Sequence, residues 1–185
     1  MYFIDEVYSD LFHKDRIIYL NDHITRANST DIVAQMRYLE AQDPRSDITL
    51  LINAPGGEVT SGFFILDTMN AVRPDVATIC GGSAGSFAAV LFCAGAYGKR
   101  GIYENAEVMF HTVSASYFGK EADIEVSATR TKNLNTRLLE IIAYNCGKTY
   151  EEVTRDVEHD FFLQAHDAIS YGAADYIVKP RKKQQ

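Results

Sequence analysis

Val76-Ala77-Thr78-Ile79-Cys80-Gly81-Gly82-Ser83-Ala84-Gly85-Ser86-Phe87-Ala88-Ala89 runs from a β-branched stretch into a row of small residues. Val76–Ile79 reads as a buried strand, and the residues from Ser86 onward read as the start of a helix. A serine at such a junction has an exposed hydroxyl, and the first turn of the helix leaves unpaired N–H groups beside it. Small flanking residues let a carbonyl carbon approach closely. These are the needs of a nucleophilic serine. The same pattern also suits a tight helix start packed on a sheet, because small-residue turns are common.

Working outward, a serine nucleophile needs a base. His111 ends a second strand-like run, Val108-Met109-Phe110-His111. A histidine there suits a base or a satisfied structural residue. Asp160, in Glu158-His159-Asp160-Phe161, suits an orienting acid, a helix cap or a solvated charge. Triads recur in several chain orders, so the order Ser86, His111, Asp160 does not choose between these readings.

The rest of the chain alternates strands and helices. Ile17–Leu20 and Ile48–Ile52 read as strands, with Pro55-Gly56-Gly57 as the turn after the second. Ser29 or Thr30 is expected to cap a helix running to about Ala41, before the break at Asp43-Pro44-Arg45. Further helices are expected over Ser61–Val72, ending before Pro74, and over Asp123–Cys146, ending at Gly147. Repeated βα order implies an α/β fold with parallel strands.

Composition narrows the function classes. A chain of 185 residues suits one domain with a sizeable core. Residues 1–7 form an N-terminal segment and 179–185 a polar tail. A net charge of −7 argues against nucleic-acid and anionic-membrane partners. The basic run Lys179-Pro180-Arg181-Lys182-Lys183 reads as solvated. Met1-Tyr2-Phe3-Ile4-Asp5-Glu6 lacks the basic start and long apolar core of a signal peptide, and no apolar run approaches the ~20 residues of a membrane span. Cys80, Cys93 and Cys146 show no metal-ligand spacing and read as buried free thiols, which implies a reducing cytoplasm. No phosphate-binding Gly-x-x-x-x-Gly-Lys-Ser/Thr loop is present, so no ATP site is expected.

Several ordered motifs resemble the Clp protease family of ClpP-type proteolytic subunits, from about Tyr8 to Val178. They are Ile32-Val33-Ala34-Gln35-Met36, Leu51-Ile52-Asn53-Ala54-Pro55-Gly56-Gly57, Asp67-Thr68-Met69, Gly98-Lys99-Arg100, Val108-Met109-Phe110-His111 and Tyr171-Gly172. The resemblance implies a ClpP/crotonase-type spiral of ββα units as a head, with a long helix projecting as a handle. It implies Ser86 as nucleophile, His111 as base and Asp160 as orienter. It places the oxyanion donors at the backbone amides of Gly57 and Phe87, and peptide binding at Gly56, Val113, Ser114 and Ala115. It also implies heptameric rings stacked as a tetradecamer, fed with unfolded polypeptide by an AAA+ unfoldase that uses the ATP. No cofactor is expected on this chain.

The chain departs from the family pattern in places. Thr112-Val113 stands where the family usually has Gln-Pro, and Phe87-Ala88 where a methionine and a glycine are usual. His159 stands where an arginine joins the family's ring–ring contact. Positions of the unfoldase-docking pocket fall on Thr49, Leu51, Ala71, Ile79, Gly101, Tyr103 and Val178. Several aromatics are lost there, and a weaker dock is expected because aromatics dominate docking energy. The segment before Tyr8 is short for the family's axial loop. These departures imply a second isoform acting beside a more typical subunit. The competing readings are a low-activity partner subunit and a crotonase-type acyl-CoA enzyme. The last would carry a carboxylate pair in place of the Ser–His–Asp set.

Overall fold

The computed structural model describes residues 2–179, with side chains from residue 7 onward. The chain runs α1 (Tyr2–Asp15), β1 (Ile17–Leu20), α2 (Arg26–Gln42), β2 (Ile48–Ala54), α3 (Val59–Ala71), β3 (Val76–Gly85) and α4 (Phe87–Cys93). It continues through β4 (Arg100–Tyr103), β5 (Glu107–Phe110), α5 (Glu121–Cys146), α6 (Tyr150–Asp156), β6 (Phe161–Gln164), α7 (Ala165–Tyr171) and β7 (Tyr176–Val178). The α/β expectation holds. Strands β1-β2-β3-β4-β7 form a parallel path, and β6 pairs antiparallel with β5.

The layout of β3 positions everything that follows. Its first half, Thr78–Cys80, pairs with β4, and its last residues, Ser83–Gly85, pair with β5. The strand therefore extends to Gly85, six residues beyond the β-branched run that marks it in the sequence. The extension rests on pairing rather than propensity. Ala84 sits opposite Ala54 on β2 and Val108 on β5. Gly82 adopts φ +144, and a Cβ there would lie 2.6 Å from Asn53 Oδ1. That oxygen accepts the Ser83 amide at 3.2 Å.

One face of the sheet is fully buried and the other only partly, so burial alternates along β1, β2 and the first half of β3. Ile18, Leu20, Ile48, Leu50, Ile52 and Cys80 are all at most 1% exposed, and α4 has no exposed residue along its length. Helix α2 begins earlier than its sequence suggests. Thr25 caps it with a reciprocal capping box to Asn28, while Ser29 and Thr30 lie inside it and bond back to the Arg26 carbonyl. Helix α3 begins and ends slightly ahead of the expected Ser61–Val72. Helix α5 closes on Gly147 at φ +66, as its sequence indicates.

The two halves of α5 differ. Residues 121–137 include no buried position, whereas Leu138, Leu139, Ile142, Ala143 and Cys146 pack into the core. Arg100, 4% exposed, ties the packed end down. Its guanidinium makes two bonds to the Asp175 carboxylate and donates to the carbonyls of Cys93 and Asn145. The N-terminal stretch, by contrast, is a helix from Tyr2 to Asp15, which its composition did not announce. The basic run past Lys179 falls outside the described residues.

Candidate active site

The β3–β5 pairing brings Ser86 to His111. Gly85 is opposite Met109, so the residues just past each register pair are neighbours, and the Ser86 amide donates to the Met109 carbonyl at 2.8 Å. Ser86 has φ +52 and ψ −124, outside the regions an L-residue favours. Such a conformation costs about 1–3 kcal/mol and persists only when the surroundings enforce it. Here β3 ends, α4 begins at Phe87, and both flanks are buried. The turn lifts the side chain out of the sheet. His111 Nε2 lies 2.8 Å from Ser86 Oγ.

Gly57 and Phe87 both line the cavity at Ser86. The chain at Ile24 and Gly57 makes a single parallel bridge, in which the Ile24 amide bonds the Gly56 carbonyl and the Glu58 amide bonds the Ile24 carbonyl. Gly57's own N–H therefore points away from Ile24. Phe87's N–H is in the first turn of α4. Neither amide donates a hydrogen bond among the described residues. Glycine is required beside them. A Cβ at Gly56, φ +101, would lie 2.7 Å from Ser86 Cβ and 3.0 Å from the Phe87 nitrogen. A Cβ at Gly57 would strike the Ile24 backbone.

A cavity of about 70 Å³ opens at Ser86. Its apolar wall is Val59, Val90, Phe110, Leu138 and Ile142, and its rim runs along Thr112, Val113 and Ser114. The Phe87 ring turns into the core. It meets Phe63 edge-on at 5.1 Å and fills the space that a side chain at Gly62 would need. The Phe63 ring in turn carries the Arg137 guanidinium at 4.4 Å. Val113 lines the cavity, but its amide already donates to Asn135 Oδ1 on α5 at 3.0 Å. Asn135 was not singled out in the sequence, because it meets Val113 only through the fold.

Asp160 is placed less tightly. Its Oδ1 is 3.9 Å from His111 Nδ1, and its side chain is 63% exposed. That separation is an ion-pair distance, too long for a hydrogen bond.

The positions matched to a docking pocket mostly share one sheet face. Leu51 pairs with Ile79, Ile79 with Gly101, and Tyr103 with Val178, while Thr49 lies two residues before Leu51 on the same side. Ala71 is elsewhere, exposed at the end of α3. The face is richer in aromatics than its matched positions suggest. Tyr19 stands opposite Leu51, and the Tyr176 ring lies over Gly101, where a Cβ would come within 2.9 Å.

The three cysteines are buried and free. Burial pushes the Cys80 thiol up to about 12, which makes it a poor nucleophile. Among the described residues, no cluster of three or more histidine, cysteine or acidic side chains could hold a metal ion, and no helix is long and apolar enough to cross a membrane.

A mostly parallel α/β sheet thus carries a serine at its strand-to-helix elbow with a histidine in hydrogen-bond contact. A family model described as Clp protease matches residues 3–181, and the chain is a member of that family.

Proposed function

We propose that the chain is a serine endopeptidase subunit with Ser86 as nucleophile, His111 as general base and Asp160 as orienter. The 2.8 Å contact between Ser86 Oγ and His111 Nε2, at the mouth of the apolar cavity, carries this reading. Nε2 takes the hydroxyl proton as Oγ attacks the peptide carbonyl carbon. The oxyanion settles between the Gly57 and Phe87 amides, a contact worth roughly 100- to 1000-fold in rate per donor. The imidazolium then gives its proton to the leaving amine. Water repeats the cycle in reverse to free the acid.

The side chain before the cut enters the cavity between Val90, Phe110, Leu138 and Ile142. The flanking backbone lies along Gly56 and the strand-like segment that holds Val113, Ser114 and Ala115. Backbone pairing reads little sequence, which suits degradation of unfolded chains. The exposed half of α5, with no buried residue, is suited to joining two heptameric rings into a tetradecamer. An AAA+ unfoldase would dock on the face holding Thr49, Leu51, Ile79, Gly101, Tyr103 and Val178, while Ala71 lies off that face at the end of α3. Tyr176 over Gly101 reshapes that dock. No cofactor acts on this chain, and the reduced cysteines fit a cytoplasmic setting.

The 3.9 Å gap at Asp160 supports a second reading, a low-activity partner in a mixed complex with a second isoform. Fluorophosphonate labelling of the isolated protein separates the two. The peptidase reading expects covalent modification at Ser86. Ser86→Ala should abolish both labelling and peptide hydrolysis, a fall of about 10⁴-fold or more, with assembly intact. An unlabelled wild type would favour the partner-subunit reading. Equal hydrolysis by Ser86→Ala would exclude the serine mechanism.

A further inference from the structure

The amide bond from Val113 to Asn135 decides which main-chain groups a peptide can reach. Exposure alternates along His111, Thr112, Val113 and Ser114, with His111 and Val113 turned inward and Thr112 and Ser114 outward. That alternation marks an extended chain, in which successive residues aim their N–H and C=O groups at opposite edges. Asn135 Oδ1 captures the Val113 N–H at 3.0 Å. The amides of Thr112 and Ser114 donate to nothing among the described residues.

Asn135 also shares a helix face with two cavity residues. Leu138 and Ile142 follow it at three and seven positions, the spacing of one side of a helix. One side of the cavity wall and the clamp on its rim therefore belong to one rigid element, α5. The Val113 side chain packs against the core as well, so the segment is held by side chain and main chain together.

We infer that Asn135 is a positioning residue for extended peptide. By holding the Val113 amide against α5, it turns the main-chain groups of Ser114 toward the cleft and withdraws those of Val113 from substrate pairing. The inference rests on the peptidase reading and adds a register to it. A peptide strand that pairs with this segment meets the main chain of Ser114 and not that of Val113. Loss of the clamp leaves the catalytic contact of Ser86 and His111 in place but lets the rim segment rotate.

The test compares Asn135→Leu, which removes the acceptor at similar size, with Asn135→Asp, which keeps an oxygen acceptor. Two fluorogenic substrates share leucine before aminomethylcoumarin, one two residues long and one six residues long. Asn135→Leu should raise KM for the six-residue peptide about 3- to 10-fold, the effect of one lost hydrogen bond, and shift the two-residue peptide less. Asn135→Asp should recover most of the six-residue affinity. Hydrogen exchange over residues 112–118 should quicken in Asn135→Leu and return toward wild type in Asn135→Asp. A loss that is equal for both lengths, or an Asp variant as impaired as the Leu variant, overturns the inference. Fluorophosphonate labelling of wild-type Ser86 keeps the two layers apart. A labelled wild type with a length-independent loss overturns the register alone, whereas an unlabelled wild type overturns the peptidase reading and the register with it.

Discussion

Asp175 and Asp160 lie on either side of the β6–α7 unit, and each faces a cationic or basic partner, yet they are built differently. Asp175 is 13% exposed and meets Arg100 through two oxygens, at 2.6 and 2.9 Å, while also accepting the Arg100 amide. Asp160 is 63% exposed and reaches only to 3.9 Å from His111. The first pair joins β4, β7, the end of α4 and the end of α5 into one block. The second sits on the connection between α6 and β6, where few contacts fix it. The difference teaches that the core itself sets the contact between Ser86 and His111, while Asp160 is left to the surface. Rigidity in this site declines from Ser86 outward.

The largest effect belongs to the rigid side. Burial alone would raise the Asp175 carboxyl, but the hydrogen bonds and charge of Arg100 outweigh it and hold its pKa below the usual carboxylate range. The sign follows from linkage. The depressed folded-state pKa gives stability that is fully present above the unfolded value, about 3.9, and is lost as pH falls through the folded value. Asp175→Asn leaves a buried guanidinium without its counter-charge and should cost about 3–5 kcal/mol at pH 7. Urea melts at one fixed protomer concentration measure it. The gap between wild type and variant should narrow below about pH 4. Asp160→Asn in the same melts should stay within about 0.5 kcal/mol of wild type, as surface substitutions do. Equal costs for the two variants would break the comparison.

Next comes Gly56→Ala, which probes the tight side at the chemistry. The new methyl would lie 2.7 Å from Ser86 Cβ and 3.0 Å from the Phe87 nitrogen, at a backbone φ of +101 that alanine disfavours. Loss of one oxyanion donor should lower kcat about 100- to 1000-fold. KM should rise by less than kcat falls, because Gly56 flanks the bound backbone while the apolar cavity wall is untouched. A matched rise in KM would show that the substitution spoiled binding and left the oxyanion donors in place.

What was legible in the sequence divides along the same line. The strands β1, β2 and β5 and the first half of β3 were legible because β-branched runs bounded by turns have few other readings. The tail of β3 was not. Gly81 to Gly85 carry no strand propensity, and their pairing to Ala54 and to Glu107–Met109 is non-local. The true cap of α2 was in view as Thr25 and Asn28, but an asparagine three residues on is a weaker sign than a glutamate. A small-residue elbow and a histidine at a strand end made Ser86 and His111 candidates, and only the family resemblance joined them with Asp160. The sequence held no sign of how far Asp160 would lie from His111, because that distance depends on loop placement. Asn135 and Tyr176 were invisible for a related reason. Each acts on a residue far away in sequence, across elements that only the fold brings together.

The smallest effect is the sharpest probe of the comparison. If Asp160 assists the imidazolium that the proposed mechanism forms on His111, at 3.9 Å with a well-solvated carboxylate it does so through a screened charge, worth about 1 kcal/mol, the value for two unit charges ~4 Å apart in a water-like medium. Asp160→Asn should therefore slow fluorophosphonate labelling of Ser86 by only about 5- to 10-fold. Removing an orienter that is hydrogen-bonded to the imidazole costs nearer 10⁴-fold, because the wrong tautomer then faces the serine. Salt separates the two mechanisms. At about 1 M the Debye length falls to ~3 Å, so a screened charge loses most of its influence and the wild type should slow toward the variant. A hydrogen-bonded orienter would hold its tautomer regardless of salt. A loss near 10⁴-fold that persists at 1 M salt would mean that Asp160 closes on His111 in the reacting protein, and the exposed half of the site would then be as firmly built as the buried one.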